Sequence, residues 1–276
     1  MKQILLFTFF SLLFSVNVFG QSVDDVIYQA GVAFSKEQYD TAEALYKKAI
    51  DMNPVASGDL YSLFSNLGTA QRRNGKEKEA LNSYNIADEL SPNTPLILNN
   101  RGTLKSNLKD YEGAIADFTQ SIQADSTNEE SFLYRSVIYK RMKDTVSAIQ
   151  DLEYILTKIN AKSIPARNNY GDVLMSRGSL TEAMAIFDEL LAEKPNEPIL
   201  LQNKGEVYFK QKEYTQALEY VNKAIKINPK YANAYVTRGE IQLELGKRKK
   251  AKSDFQKAIE LKASNEKVFD LLDKCN

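Results

Sequence analysis

A small residue followed twelve positions later by alanine recurs along this chain with a period close to 34 residues. The small residues are Gly31, Gly68, Gly102, Ser136, Gly171, Gly205 and Gly239. The alanines are Ala80, Ala114, Ala148, Ala183, Ala217 and Ala251, with Ala42 one position early, which implies a shortened turn in the first unit. The steps between small residues are 37, 34, 34, 35, 34 and 34. A period of this length means stacked supersecondary units, each unable to bury its apolar face without a neighbour. Such a stack has a long surface and no deep centre.

The rest of each unit keeps the same spacing. Sixteen positions after the small residue come Tyr84, Phe118, Leu152, Phe187, Val221 and Phe255, with Tyr46 in the first unit. Three further on are Ala49, Ala87, Ser121, Ile155, Leu190, Ala224 and Ala258. Apolar residues recur at three and four, the helical period. Turn signals fall at Asn74-Gly75, Lys109-Asp110, Arg177-Gly178 and Leu245-Gly246, and Pro54, Pro92, Pro195 and Pro229 close units and start the next helices. The fourth unit departs, with Ser136 for glycine and Asn160 at the closing position, and a bend toward the fifth unit is expected there.

This pattern resembles the tetratricopeptide repeat and covers about Asp24 to Ala263. The resemblance implies an all-α, right-handed solenoid superhelix of seven helix-turn-helix units, over about 24–55, 61–94, 95–128, 129–163, 164–197, 198–231 and 232–263. Residues 264–276 are expected to cap it, with a helix over Glu266 to Leu272 whose polar side carries Asp270, Asp273 and Lys274.

Residues 1–20 stand outside the repeat. Met1-Lys2 precedes an apolar stretch from Ile4 to Phe19, and Val18-Phe19-Gly20 offers a cleavage site before Gln21. This is the pattern of a secretory signal, with a periplasmic or secreted mature protein and no stable membrane insertion after cleavage. Its sixteen residues are short for a bilayer span. No cysteine follows the stretch to carry a lipoprotein anchor. Cys275 is the single cysteine, expected exposed near the end.

The chain has no histidine, which removes Ser-His and Cys-His nucleophile pairs and the commonest metal ligand. The glycines belong to helix packing, and no phosphate-cradling loop is present. No catalytic residue, metal or cofactor is expected. Lys plus Arg equals Asp plus Glu, 36 each, so no net field gathers nucleic acid. The acid pairs Asp24-Asp25 and Glu129-Glu130 fall at helix starts, where they suit the helix dipole. The basic run from Lys247 to Lys252 is expected as a solvated turn and helix start.

Two further columns run through the units. Arg101, Arg135 and Arg238 directly precede the small residue in the same three units that carry Asp117, Asp151 and Asp254 fifteen positions after it. Across an antiparallel helix pair these sites face each other, so three ion pairs are expected. Two positions before the small residue lie Gln29, Asn66, Asn100, Tyr134, Asn169, Asn203 and Thr237. The family resemblance implies that first helices line a concave face where asparagines grip the backbone of an extended peptide. Amides both donate and accept. Asn66, Asn100, Asn169 and Asn203 are therefore the candidate backbone contacts. Lys36, Arg72, Arg73, Lys140 and Arg141 are the candidate contacts to acidic side chains of the partner, with Asp172, Glu206 and Glu240 making the later part of the groove acidic. The expected partner is a protein or peptide segment. The other readings are a self-associating envelope subunit and a glycan or nutrient binder.

Overall fold

The computed structural model describes residues 22–52, 60–263 and 267–275. The signal stretch, Gly20-Gln21, Pro54 and Glu266 lie outside them. Among the described residues there are fifteen α-helices and no strand. Two compact units divide between Ser91 and Pro92. The first holds α1 (Val23–Ser35), α2 (Tyr39–Asp51), α3 (Leu60–Arg73) and α4 (Glu77–Leu90). The second holds α5 (Pro95–Asn107), α6 (Tyr111–Ala124), α7 (Glu129–Arg141), α8 (Thr145–Tyr154), α9 (Ile164–Arg177) and α10 (Leu180–Glu193). It continues with α11 (Pro198–Lys210), α12 (Tyr214–Ile227), α13 (Ala232–Glu244), α14 (Arg248–Glu260) and α15 (Val268–Asp273). Each unit is an α-solenoid: consecutive helices pair, and each pair packs on the next.

The periodic residues form the seam of each pair. The seven alanines from Ala42 to Ala251 are fully buried, as are Tyr84, Leu152, Phe187, Val221 and Phe255. Burying each large side chain contributes about 1.5–3 kcal/mol. The glycines allow the approach: a Cβ on Gly239 would lie 2.5 Å from Phe255, and one on Gly102 2.9 Å from Phe118.

The turns reveal the true register. The first helix of each pair is followed by a residue of left-handed backbone: Glu37, Gly75, Lys109, Lys143, Gly178, Lys212 and Gly246. From Gly75 on, it lies seven positions after the small residue. Counting back from Glu37 gives Ala30, which is fully buried, and not Gly31, whose added Cβ would meet nothing within 4 Å. Ala30 stands twelve before Ala42 and sixteen before Tyr46. The first turn is therefore not shortened.

One other expectation is corrected. Pro92, Pro195 and Pro229 sit in connections, while Pro95, Pro165 and Pro198 occupy the first helical turns of α5, α9 and α11. The extra residue of the fourth unit is taken up by a π-helical turn over Ile155–Ile159, closed by Asn160 N–H to the Ile155 carbonyl at 2.7 Å. A π-turn absorbs one inserted residue without breaking the helix. Asn160 then donates to Glu129 at 3.2 Å, tying the turn to the start of α7.

The helix starts carry the expected acids. Ser22 and Asp25 cap α1 reciprocally, and Glu129 and Glu130 open α7. At the far end Val268 of α15 packs on α14, with Asp270, Asp273 and Lys274 exposed as a cap requires. Cys275 is not exposed: it is buried with Val268 and Phe255, and its thiol meets the Leu271 carbonyl at 3.4 Å. The final turn folds it back onto the apolar side of the cap.

All three Arg–Asp pairs form. Arg101 Nε and Nη2 donate to Asp117 at 3.0 and 2.8 Å, and Arg135 makes the same fork to Asp151 at 2.9 and 2.7 Å. Arg135 also reaches Thr119 of the preceding pair at 2.8 Å, so the fork ties neighbours together. In two of the units without the arginine, other bonds take its place. Ser83 donates to Gln71 at 2.7 Å in the second pair. Lys204 pairs with Asp188 and lies 4.6 Å from the Tyr220 ring centre.

Candidate binding groove

In the second unit the first helices α7, α9, α11 and α13 stand side by side, because each small residue lets its second helix lie close behind. Their other faces line a polar cavity of about 520 Å³. Lys140 comes from α7, Asn168, Asn169 and Asp172 from α9, Gln202, Asn203 and Glu206 from α11, and Asn233, Thr237 and Glu240 from α13. Ile199, Val236, Tyr231, Lys210 and Lys267 complete the wall.

The lining is stitched across repeats. Gln202 Nε2 donates to Thr237 at 3.1 Å and to Glu206 at 3.0 Å, and its Oε1 accepts from the Tyr231 hydroxyl at 3.2 Å. Asn203 Nδ2 donates to Asn168 Oδ1 at 2.9 Å. Lys140 forms an ion pair with Asp172 on the next first helix. These bonds fix the cavity's shape in advance, which lowers the cost of binding.

The carboxyls feel one another. Burial raises Glu240 to about 7, with the charge of Glu206 adding to it. Burial also raises Glu206, and Asp172 reinforces it. The Tyr231 hydroxyl is pushed to about 12 by burial. Next to the cavity, and sharing Asn168, Asn169 and Ile199 with it, lies a second pocket of about 310 Å³ walled by Ile164, Pro165 and Leu200.

Of the four candidate asparagines, the structure brings together Asn169 and Asn203. Asn169 has a free amide facing the cavity, while Asn203 is buried and bonded to Asn168. Asn100 is half-buried on α5, and Asn66 is exposed on α3 of the other unit. Among the basic candidates, Lys140 is in the cavity but already held by Asp172. The sequence reading assigned it to the partner's acids. The structure gives it to the protein's own acid, because the fourth position of one repeat adjoins the first position of the next. Arg141 lines a separate pocket of about 140 Å³ with Tyr134 and Phe118. Lys36 and Arg73 are exposed and Arg72 is half-buried, its Nε buried without a bond. With Ala30 as the small residue, Lys36 lies one position nearer the turn than Arg73 and Arg141 do.

Asp172, Glu206 and Glu240, the expected acidic stretch, all line the cavity. Sequence reasoning missed Asn168, Gln202, Asn233 and Tyr231. A signal was present: three positions before the small residue stand Asn99, Asn168 and Gln202, a second amide column beside the first. Two of its members are deeply set, Gln202 at 6% exposed and Asn99 at 3%, and Asn168 is half-buried.

Family models described as tetratricopeptide repeat match residues 29–55, 96–128, 165–198, 198–231 and 232–265, together more than half of the chain. The crystal structure of a tetratricopeptide repeat protein from Parabacteroides merdae is similar at TM-score 0.83 and 31% identity, covering 93% of this chain and 99% of that one. The mitochondrial import receptor subunit TOM70 of Homo sapiens is 26% identical over 201 residues, 70% of this chain and 33% of the receptor. The Hsp70-Hsp90 organizing protein of Triticum aestivum is 22% identical over 259 residues, 90% of this chain and 42% of that protein. The chain thus spans between a third and a half of the length of these two relatives.

Proposed function

The chain belongs to the tetratricopeptide repeat family, and on that premise we propose that it is a non-catalytic scaffold holding an extended segment of a partner protein along its first helices. The observation that carries this reading is the amide-lined cavity of α7, α9, α11 and α13, pre-shaped by its own hydrogen bonds, with Asn169 left free to bond a peptide backbone. Repeated shallow contacts along such a surface can sum to a standard interface without a reaction chamber. Two relatives are named for a receptor and an organizing role, which fits a scaffold. We place the mature protein in the periplasm or outside the cell on the signal-like residues 1–20.

Photo-crosslinking tests the groove. A crosslinker in place of Asn169 is expected to trap a discrete partner in the native cells, while one at Glu219 on α12, outside the cavity, is not. Equal trapping from both positions would reject the groove. Mass measurement of the secreted chain tests the leader: a mature start at Gln21 is expected.

The self-association reading keeps the exposed apolar residues of the end helices, Phe269 at 60% on the capping helix and Tyr28 at 73% on α1. Cys275 no longer supports it, being enclosed. Light scattering that finds a monomer across concentration would end that alternative. For the glycan reading, the apolar pocket beside the cavity is walled by Ile164, Pro165, Ile199 and Leu200 and offers no aromatic platform.

A further inference from the structure

We infer that the polar cavity seats a cationic side chain, lysine or arginine, of the bound segment, with a neighbouring aliphatic residue of that segment in the Ile164–Pro165–Ile199 pocket. This rests on the groove being a segment-binding surface and adds the chemistry of what it selects.

Charge pairing inside the cavity is incomplete in one sense only. Lys140 is neutralised by Asp172. Glu206 takes one amide hydrogen bond, from Gln202, and has no ion pair. Glu240 has neither a hydrogen bond nor an ion pair, although it lines the same space one repeat further on. Two carboxyls on successive first helices, both withdrawn from water, are left facing a cavity large enough for a side chain. Lys210 at the end of α11 and Lys267 before α15 face Glu240 from the rim, and both are exposed. Their charges only partly offset the burial that raises both carboxyls.

The donor requirements narrow the ligand. Carboxylates accept only, and the free oxygens of Glu206 and Glu240 need donors carrying positive charge. A guanidinium or ammonium supplies both, and charge-assisted bonds of this kind are the strong ones. A metal ion is a poor match, since among the described residues no three acidic or thiol groups converge as a coordination set. An acidic ligand would face the same repulsion that already raises both glutamates. The shared wall at Asn168, Asn169 and Ile199 puts the aliphatic pocket directly beside the cation seat. A free amine could satisfy the carboxyls but would leave that pocket empty.

The test is selection of a random peptide library displayed on phage against the full mature chain, repeated with Glu206→Gln/Glu240→Gln and with Glu240→Lys. The glutamine changes keep shape and remove like-charge repulsion, so folding is retained; circular dichroism checks this. The expected result is enrichment of peptides pairing Lys or Arg with a nearby Ile, Leu or Val. Their affinity should fall roughly tenfold or more in the double glutamine variant, and Glu240→Lys should shift selection away from basic peptides. Peptides enriched on the groove without a basic residue, or unaffected by the double variant, would overturn the cation seat while leaving the groove reading intact. No enrichment by the wild-type chain would instead overturn the groove reading itself. A thermal shift with spermidine that depends on Glu206 and Glu240, with no basic peptide selected, would assign the site to a free amine and also overturn the proposal.

Discussion

Arg238 and Asp254 meet through a two-pronged bond, Nε to Oδ2 at 2.8 Å and Nη2 to Oδ1 at 2.6 Å, while Arg238 Nη1 reaches Asn222 of the preceding repeat at 2.9 Å. The aspartate is 5% exposed, so water cannot replace this partner. Asp254→Ala is expected to lower stability by about 3–5 kcal/mol, because a guanidinium is left withdrawn from water and unpaired. Replacing both, as Arg238→Met with Asp254→Leu, is expected to be far milder for the same reason. Urea unfolding of the wild type and the two variants measures this; a loss of only about 0.2–1 kcal/mol for Asp254→Ala would mean the pair behaves as a surface contact.

Two glycines in equivalent-looking places should respond oppositely to alanine. At Gly239 the new Cβ would lie 2.5 Å from the Phe255 ring, which is fully buried and cannot retreat. Gly239→Ala is expected to destabilise by about 1–3 kcal/mol, the usual cost of overpacking. At Gly31 the Cβ would point into open space in the middle of α1. Gly31→Ala is expected to stabilise by about 0.5–1 kcal/mol, through helix propensity and a less flexible unfolded chain. Thermal melts that move in the same direction would contradict the register based on Ala30.

That register shows what was legible in the sequence and what was not. The helix pairs, the buried alanine column and the three Arg–Asp forks could all be read directly, because each is a contact between fixed offsets within one repeat. The first repeat was misread by one residue because glycine is the commonest small residue at this site, whereas burial and the turn at Glu37 select Ala30. The groove was half legible. Asp172, Glu206 and Glu240 fell on one column, but Lys140–Asp172 and Gln202–Thr237 join different repeats, and their meeting depends on how pairs stack. The extra residue before Asn160 is housed in a π-turn, a local form that repeat spacing alone does not specify.

Glu43 makes the first unit sensitive to acid. Although burial opposes ionisation, hydrogen bonds from Lys47 at 2.7 Å and Lys76 at 2.9 Å lower its carboxyl from 4.5 to about 2. Lys76 precedes α4, so the bond links the first helix pair to the second. The unfolded chain takes up this proton first, so the stabilisation is full above about 4.5 and is lost as pH falls toward 2. Glu43→Gln should remove that part of the acid dependence. Hydrogen exchange at α2 and α4 across this window is the measurement; an unchanged pH profile in the variant would remove Glu43 from the account.

Glu240 should give the opposite dependence. Its folded carboxyl holds a proton up to about 7, while an ordinary glutamate releases it near 4.5. Between those values the folded chain binds more protons than the unfolded one, so stability falls as pH rises through the window. Glu240→Gln, which cannot ionise, should flatten the decline, and the difference should appear in melts on either side of neutrality. A seated cation reverses the preference, because it favours the ionised carboxyl over the protonated one. A basic peptide should therefore bind more tightly as pH climbs toward 7 and level off above it, with a proton released on binding below that value. Calorimetry in two buffers of different ionisation enthalpy reads that proton directly, and its presence in the Glu240→Gln variant would place the titrating group elsewhere.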